Sequence, residues 1–332
     1  MLYPDFKRFV SAEGLLREGD RLLVAVSGGV DSMVMMELLS RVARGMDLRA
    51  RVVHVNHMLR GRESMRDERH VEREARRLGF EFASARARPR AGENLQGSAR
   101  SLRLRFFRRQ AEEFRASRVL LAHNRGDQAE TVLMHIVRGA GLAGLAGMSP
   151  LSRADGILIA RPLLFASRGD IAAYAKRRGV AFREDRTNRT LKYRRNEVRH
   201  SLMPALERMN PRIEESLAAM AGRLREDERA LDLVARASFN EALASAADGR
   251  VLLRAEDFAA MPEVVRARML MIAWRRATGR ASDLNGDQIR RMDSIAASGR
   301  RTGEYRLRAP WEFRKRAGLI EISRGRAGRA RR

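Results

Sequence analysis

Over residues 1–210, short apolar runs alternate with stretches whose apolar positions recur at helical spacing. Arg21-Leu22-Leu23-Val24-Ala25-Val26 is apolar and β-rich enough for a buried strand, and Met33 to Arg44 follows with helical spacing. Further strands are predicted over 49–55, 80–85, 118–122 and 157–160. Helices are predicted over 3–18, 64–78 (capped by Ser64 and stopped by Gly79), 98–114, 130–138, 167–178 (capped by Ser167) and 193–208. Such alternation implies an α/β domain with a doubly wound parallel sheet. Ligands bind these sheets beyond the carboxyl ends of the strands. Three polar clusters follow the strands at 21–26, 49–55 and 118–122, so the pattern brings them to one edge.

The alternation stops at Asn210-Pro211, which marks a domain boundary. Beyond it, Pro211 to Ala247 reads as one long helix, with more helix over 262–278 and 286–297. A strand at 251–253 and short β segments around Trp311 and Phe313 complete a second, mostly helical domain over 211–323. The tail 324–332 is Arg, Gly and Ala and is expected to be disordered and to face RNA. Gly139–Gly147 is rich in glycine and is either a linker or a mobile strip over the site.

Composition sharpens the picture. The chain has 332 residues, 44% of them hydrophobic, and a net charge of +26. Arginine carries nearly all the positive charge, since lysine occurs only at Lys7, Lys176, Lys192 and Lys315. An excess this large implies a polyanionic partner. With no cysteine, disulfides, cysteine–zinc sites and thiol catalysis are excluded. No apolar run approaches a membrane span and the N-terminus has no signal-peptide core, which implies a cytoplasmic protein. A homodimer is compatible with all of this.

The most informative stretch is Ser27-Gly28-Gly29-Val30-Asp31-Ser32, a tight glycine turn between strand and helix. Its N–H groups and the helix N-terminus suit an anion, with the Ser27 and Ser32 hydroxyls as further donors. Asp31 would repel a phosphate unless a cation sat between them, and Mg²⁺ prefers this mixture of oxygens. The plainer reading of the string is helix-capping chemistry. Asp127 lies where it can join Asp31 around Mg²⁺, cap the following helix, or do both. His123 directly follows a strand and is either a site residue or a satisfied core histidine. His54-Val-Asn56-His57 could hold a metal pair, but polar contacts to a bound ligand or structural hydrogen bonds suit it better than zinc. Arg100 with Arg103, and Arg195 with Arg199, are helically spaced pairs able to clamp phosphate or carboxylate, or simply to line the surface.

The glycine turn resembles the pyrophosphatase loop of the N-type ATP pyrophosphatases, which cleave ATP to AMP and pyrophosphate. The resemblance implies an adenine nucleotide α-hydrolase-like fold. Further strings narrow it: His54-Val-Asn56-His57 through Arg60-Gly61, Asn94-Leu95-Gln96 with Arg100 and Arg103, and Asp127-Gln128-Ala129-Glu130-Thr131 with Arg138. Arg161-Pro162-Leu163-Leu164, Glu184-Asp185 with Asn188, and Tyr193-Arg194-Arg195-Asn196 with Arg199 complete the set. Together these resemble the tRNA(Ile)-lysidine synthetases, densely over about residues 20–211 and loosely beyond, where the second domain, 211–323, is similar to that family's central tRNA-binding domain. Longer members of that family carry a further C-terminal domain, which is not expected in this chain.

The resemblance implies a ligase that uses ATP and Mg²⁺ to adenylate the C2 oxygen of the wobble cytidine in a CAU-anticodon isoleucine tRNA. Free L-lysine then displaces AMP to give lysidine. It also implies roles. Asp31, Arg100, His123 and Asp127 would be catalytic, and Asp31 and Asp127 would hold the metal. Ser27, Gly28, Gly29, Val30, Asp31, Ser32, His54, Asn56 and His57 would bind ATP. Arg60, Asn94, Arg103, Glu130, Arg138, Arg195, Asn196 and Arg199 would contact tRNA or lysine. The chain departs from the family at Gly126, where an aspartate is usual, at Leu104 in place of tyrosine, and at Met58 in place of a small residue. Other classes fit less well. Thiolation enzymes with the same loop use cysteines, amidotransferase-type synthetases need no such charge, and a non-catalytic RNA-binding protein would not keep the loop intact.

Overall fold

Alternate residues of the first strand, β1 (Arg21–Ala25), enter opposite cores. Leu22 and Val24 pack with Met33 and Leu38 on one face, while Leu23 packs with Phe107 and Phe114 on the other. A strand buried on both faces reads as a continuous apolar run, which is why β1 is legible without alternation. The computed structural model describes residues 2–56, 58, 62–86, 95–154, 156–183, 194–247, 249–280 and 284–325, with the side chains of 62, 95–100 and 194 left aside. The chain divides into two compact units, Met1–Arg225 and Glu226–Arg332.

In the first unit, α1 (Leu2–Ala12), β1, α2 (Val30–Ala43), β2 (Arg49–Asn56), α3 (Arg62–Arg77), β3 (Glu81–Arg86), α4 (Leu95–Phe114) and β4 (Arg118–Leu120) follow in turn. Then come α5 (Arg125–Val137), α6 (Leu142–Leu145), β5 (Leu151–Ala154), β6 (Ile157–Ala160) and α7 (Arg168–Arg178). The strands form a six-stranded sheet in the order β3-β2-β1-β4-β6-β5. All pairings are parallel except β5 with β6. Helices α1, α2, α3 and α7 cover one face and α4 the other. The order reverses between β1 and β4, so the crevice beyond their carboxyl ends is the topological switch point.

Several elements differ in extent from the sequence pattern. Ser64 lies inside α3 rather than capping it. Helix α5 begins at Arg125, because Asn124 rather than a later residue caps it. Strand β5, Leu-Ser-Arg-Ala, has no β-branched residue and owes its conformation to pairing with β6. The helix expected over 193–208 is broken into α8 (Arg194–Glu197), a π-helical turn at Val198–Leu202 and α9 (Met203–Met209). Pro204 has no N–H to give to the turn before it, and the Met203 N–H reaches back to the Val198 carbonyl instead.

Helix α10 (Ile213–Ala242) runs from the first unit into the second. Its first turns belong with the first unit because Leu217 and Ala221 pack with Val132, Leu133 and Val198. The compact units therefore part at Arg225 rather than at residue 210. In the second unit, β7 (Leu243–Ala247), β8 (Arg250–Arg254), α11 (Ala255–Ala259), α12 (Glu263–Thr278), α13 (Gly286–Ala297), β9 (Thr302–Arg306), β10 (Trp311–Arg316) and β11 (Leu319–Arg324) follow. The strands form a five-stranded antiparallel sheet, β7-β8-β11-β10-β9, around Phe239, Phe258, Phe313 and Trp274, with Trp311 edge-on to Trp274 at 5.8 Å. Helix still outweighs strand in this unit, but the sheet is its frame. Residues 326–332, most of the expected disordered tail, lie outside the described residues.

Candidate active site

The ladder of β1 continues one residue further, Val26 N–H donating to the Val53 carbonyl at 3.0 Å, and then breaks at the glycine turn. Gly28 sits at φ +96°, a conformation that L side chains rarely adopt, which explains the first glycine. Gly29 caps α2, and the first helical bond runs from Met33 N–H to its carbonyl. The N–H groups of Val30, Asp31 and Ser32 therefore have no acceptor in the helix. Ser32 braces the turn: its hydroxyl donates to the Gly29 carbonyl at 2.9 Å and accepts from Ser27 N–H at 3.2 Å. The result is a rigid ring of donors at the positive end of a helix, a suitable cradle for phosphate.

Across the switch point stands Asn124, fully buried. Its side-chain oxygen accepts from Asp127 N–H at 3.0 Å, and Asp127 returns the bond to Asn124 N–H at 3.1 Å, a capping box at the start of α5. Its side-chain nitrogen donates to Asp31 at 3.2 Å. One asparagine thus holds both aspartates, and both sequence readings of Asp127 coexist. The other oxygen of Asp31 is buried with no hydrogen-bond partner among the described residues. Burial, and then the charge of Asp127, push the Asp31 carboxyl up from 3.8 to about 6, against the pull of Arg168, Asn124 and Arg199. A buried, orphaned carboxylate oxygen within the field of a second carboxylate suits a cation, and hard oxygen donors of this kind fit Mg²⁺. Among the described residues no group of three or more acidic or histidine side chains could hold a metal without help. Phosphate oxygens and water would have to complete any such shell.

One turn along α5, Glu130 is buried and gripped by arginines. Arg199 donates to it through Nε and Nη2 at 2.7 and 2.9 Å, and Arg168 at 2.8 Å. Arg195 Nε lies 3.3 Å away while its Nη2 donates to Thr131 at 2.8 Å. Arg168 and Arg199 also reach Asp127, at 3.5 and 3.3 Å. The π-helical turn carries Arg199, so the irregular backbone is what aims it at Glu130.

His123 ends the loop after β4. Its Nδ1 is sealed from solvent without a partner. Burial, reinforced by Arg161, Arg195 and Arg103 and opposed by Asp127, holds its pKa down to about 4, so the ring is neutral. His54 is buried on β2 with Nδ1 2.8 Å from the Val26 carbonyl, and burial lowers its pKa. It braces the strand that leads into the glycine turn. Asn56 donates to the Ser64 carbonyl and to Glu68, and accepts from Met58 N–H, so it ties the end of β2 to α3. These contacts give both residues the structural hydrogen bonds that the sequence allowed as one reading.

The structure brings Ser27, Gly28, Gly29, Val30, Asp31, Ser32, His123, Asp127, Glu130, Arg195 and Arg199 to the switch point. Asn196 makes contacts of its own on α8. Arg138 is exposed at the far end of α5, and Arg103 is exposed on α4 although its charge is felt at His123. His57, Arg60 and Asn94 lie outside the described residues, as does the side chain of Arg100. The strip Gly139–Gly147 is docked rather than a free linker. Gln128 on α5 accepts from Met148 N–H at 2.7 Å and donates to the Met148 carbonyl at 3.2 Å, and His135 bonds the Gly144 carbonyl. Sequence reasoning missed Asn124 and Arg168. The spacing of Asn124 and Asp127 is that of a capping box and carried a usable signal, whereas nothing local marks Arg168.

The family model of the PP-loop domain matches residues 4–206. Curated tRNA(Ile)-lysidine synthases are similar over much of the chain. That of Symbiobacterium thermophilum is 36% identical over 92% of this chain and 65% of its own length. That of Geobacter sulfurreducens is 35% identical over 91% and 64%. That of a Bradyrhizobium strain is 42% identical over 76% and 73%. The chain thus spans just under two thirds of the first two relatives. Among solved structures, a U34-tRNA thiolase from Methanococcus maripaludis superposes with a TM-score of 0.56 at 21% identity, over 67% of this chain and 78% of that one, a likeness of fold.

Proposed function

We propose, for a chain that belongs to the PP-loop domain family and within it to the tRNA(Ile)-lysidine synthases, the ATP-dependent ligation of lysine to C2 of the wobble cytidine of a CAU-anticodon isoleucine tRNA. The observation that carries the reading is the Asp31–Asn124–Asp127 bridge. It joins a phosphate cradle to a carboxylate pair across the one crevice where this fold binds ligands. ATP would lay its phosphates on the N–H groups of Val30, Asp31 and Ser32. Asp31 and Asp127 are the residues that would hold Mg²⁺, which when bound neutralises phosphate charge.

The cytidine O2 attacks the α-phosphorus of ATP and pyrophosphate leaves. The lysine ε-ammonium gives up a proton to water, its neutral amine then adds to C2, the C2–O bond breaks with its electron pair, and AMP departs. An anticodon base reaches such a crevice only when splayed from its stack, and single-stranded anticodon loops allow this. Asp127 and Glu130 are suited to a lysine ammonium, and Arg195 and Arg199 to a carboxylate or phosphate. His123, being neutral, serves as a hydrogen-bonding group rather than a charge. The remaining excess of arginine suits the phosphates of tRNA, in the cytoplasm where that substrate is found.

The test is pyrophosphate release from ATP, with and without the isoleucine tRNA and with lysine varied. Release that requires the tRNA, with lysidine formed only when lysine is present, is expected. Turnover indifferent to lysine would overturn the reading. Asp31→Ala should abolish release and leave tRNA affinity within about twofold, because Asp31 serves the nucleotide and not the RNA.

A further inference from the structure

Gly126 is the second residue of α5 and is buried. Its φ is not positive, so the backbone does not require glycine here. Space does. A Cβ at this position would lie 3.0 Å from Glu214 Oε1, 3.2 Å from Asn124 Oδ1 and 3.3 Å from Arg168 Cζ. The volume a side chain would take is filled by a carboxylate from another element, the first turn of α10.

An acid in the first turn of a helix is ordinarily explained by the helix dipole. Its neighbour Glu215 fits that account, lying partly exposed and paired with Arg125 and Arg212. Glu214 does not. It is half-buried, and burial holds its carboxyl above the usual carboxylate range despite the pull of Arg168 and Arg125. Arg168, which it flanks, is the guanidinium shared between Asp127 and Glu130.

We propose that Gly126 and Glu214 are a matched pair, in which the glycine leaves room for the Glu214 carboxylate, and that Glu214 is a positioning residue acting through Arg168. This deepens the function proposed above. By competing for Arg168, Glu214 leaves Asp127 and Glu130 less neutralised and better able to take an ammonium. Removing its charge lets Arg168 settle on those two carboxylates and weakens lysine binding, while the phosphate cradle is untouched.

Glu214→Gln, which keeps size and removes charge, is expected to raise the KM for lysine about tenfold with the KM for ATP within about twofold and the Tm near that of the parent. Gly126→Ala is expected to lower the Tm. In the Glu214→Ala background the tightest of the three contacts is gone, so Gly126→Ala should cost measurably less there; in the Glu214→Gln background it should cost as much as before. An unchanged lysine KM in Glu214→Gln, or a Tm loss from Gly126→Ala that is equal in all backgrounds, would overturn the proposal. If Gly126→Ala alone does not fold, recovery of folding by added Glu214→Ala is the same result, and its absence the contrary one. The thermal cycle reads the pair without any substrate. A chain that ligates no lysine would therefore sink the proposed function while leaving the pairing of the two residues separately decided.

Discussion

Asn124 concentrates three tasks in one side chain: it caps α5, orders Asp127 and donates to Asp31. The tasks can be separated. Asn124→Ser keeps a capping oxygen and loses the donor to Asp31, whereas Asn124→Ala loses both. Thermal or denaturant unfolding should show a cost of about 1 kcal/mol for alanine and a few tenths for serine. Pyrophosphate release should fall at least about tenfold in both, because both release Asp31. Serine activity equal to the parent would reduce the residue to a cap. His123 yields a pH prediction. Unfolded, it takes up a proton near 6.5, and folded only near 4. The unfolded chain therefore binds more protons in that window, and the contribution of His123 to stability, complete above 6.5, is lost as pH falls toward 4, by at most about 3 kcal/mol. Asp31 has the opposite sign, since its folded value is raised to about 6 and protonation relieves its burial. The two partly cancel in the parent. His123→Gln should expose the Asp31 term, so that its urea midpoint rises relative to the parent as pH drops from 7 to 5. Parallel midpoints would show that His123 is not buried in its neutral form.

At the scale of elements, the strip between α5 and β5 is latched by a side chain that imitates a strand partner. Gln128 exchanges both amide bonds with Met148, and its tip fills the space beside Gly147, whose φ is +63°. Gln128→Ala should leave both Met148 groups unpaired and raise amide exchange through Gly139–Gly147 at least about tenfold, with α5 itself still protected. Uniform exchange would mean the strip is held by its own helix, α6. A second cluster has a local explanation. The cleft of about 640 Å³ lined by Tyr3, Glu37, Arg41, Arg44, Arg76, Arg77 and Arg178 lies where α2, α3 and α7 end. Arginines there offset the negative ends of the helices, and Glu37 and Tyr174 tie Arg178 and Arg41 down. The parallel strands and the glycine turn were legible in sequence because each is fixed by local chemistry: continuous apolar runs, one obligatory glycine, capping spacings. Strand β7 was not, since Leu-Ala-Ser-Ala-Ala favours helix and only pairing with β8 around Gly249 overrides it. The grip of Arg168 on Glu130 and the place of Glu214 were hidden for the same reason. Each depends on residues distant in sequence that only the closed fold brings together.

At the scale of the whole molecule, the family resemblance implies tRNA binding by the second domain, but charge is not concentrated there. Met1–Arg225 holds 44 basic and 26 acidic residues, net +18, and Glu226–Arg332 holds 23 and 15, net +8, nearly the same excess per residue. Phosphate contacts should therefore be divided between the units, roughly in proportion to their charge. The salt dependence of tRNA affinity counts those contacts, because each neutralised phosphate releases counterions. A fragment Met1–Arg225 is the right probe. It retains Ile213, Leu217 and Ala221, whose packing with Leu133 and Val198 a fragment ending at residue 210 would strip away. Burial of Leu217 with its partly buried neighbours is worth on the order of 4 kcal/mol, a large share of a domain's stability, so the shorter fragment should unfold far more readily. The longer one should bind the isoleucine tRNA more weakly than the full chain, yet keep more than about half of the slope of log affinity against log salt. A slope near zero would return all phosphate contacts to Glu226–Arg332. A slope equal to that of the full chain would leave the second unit to act through shape rather than charge.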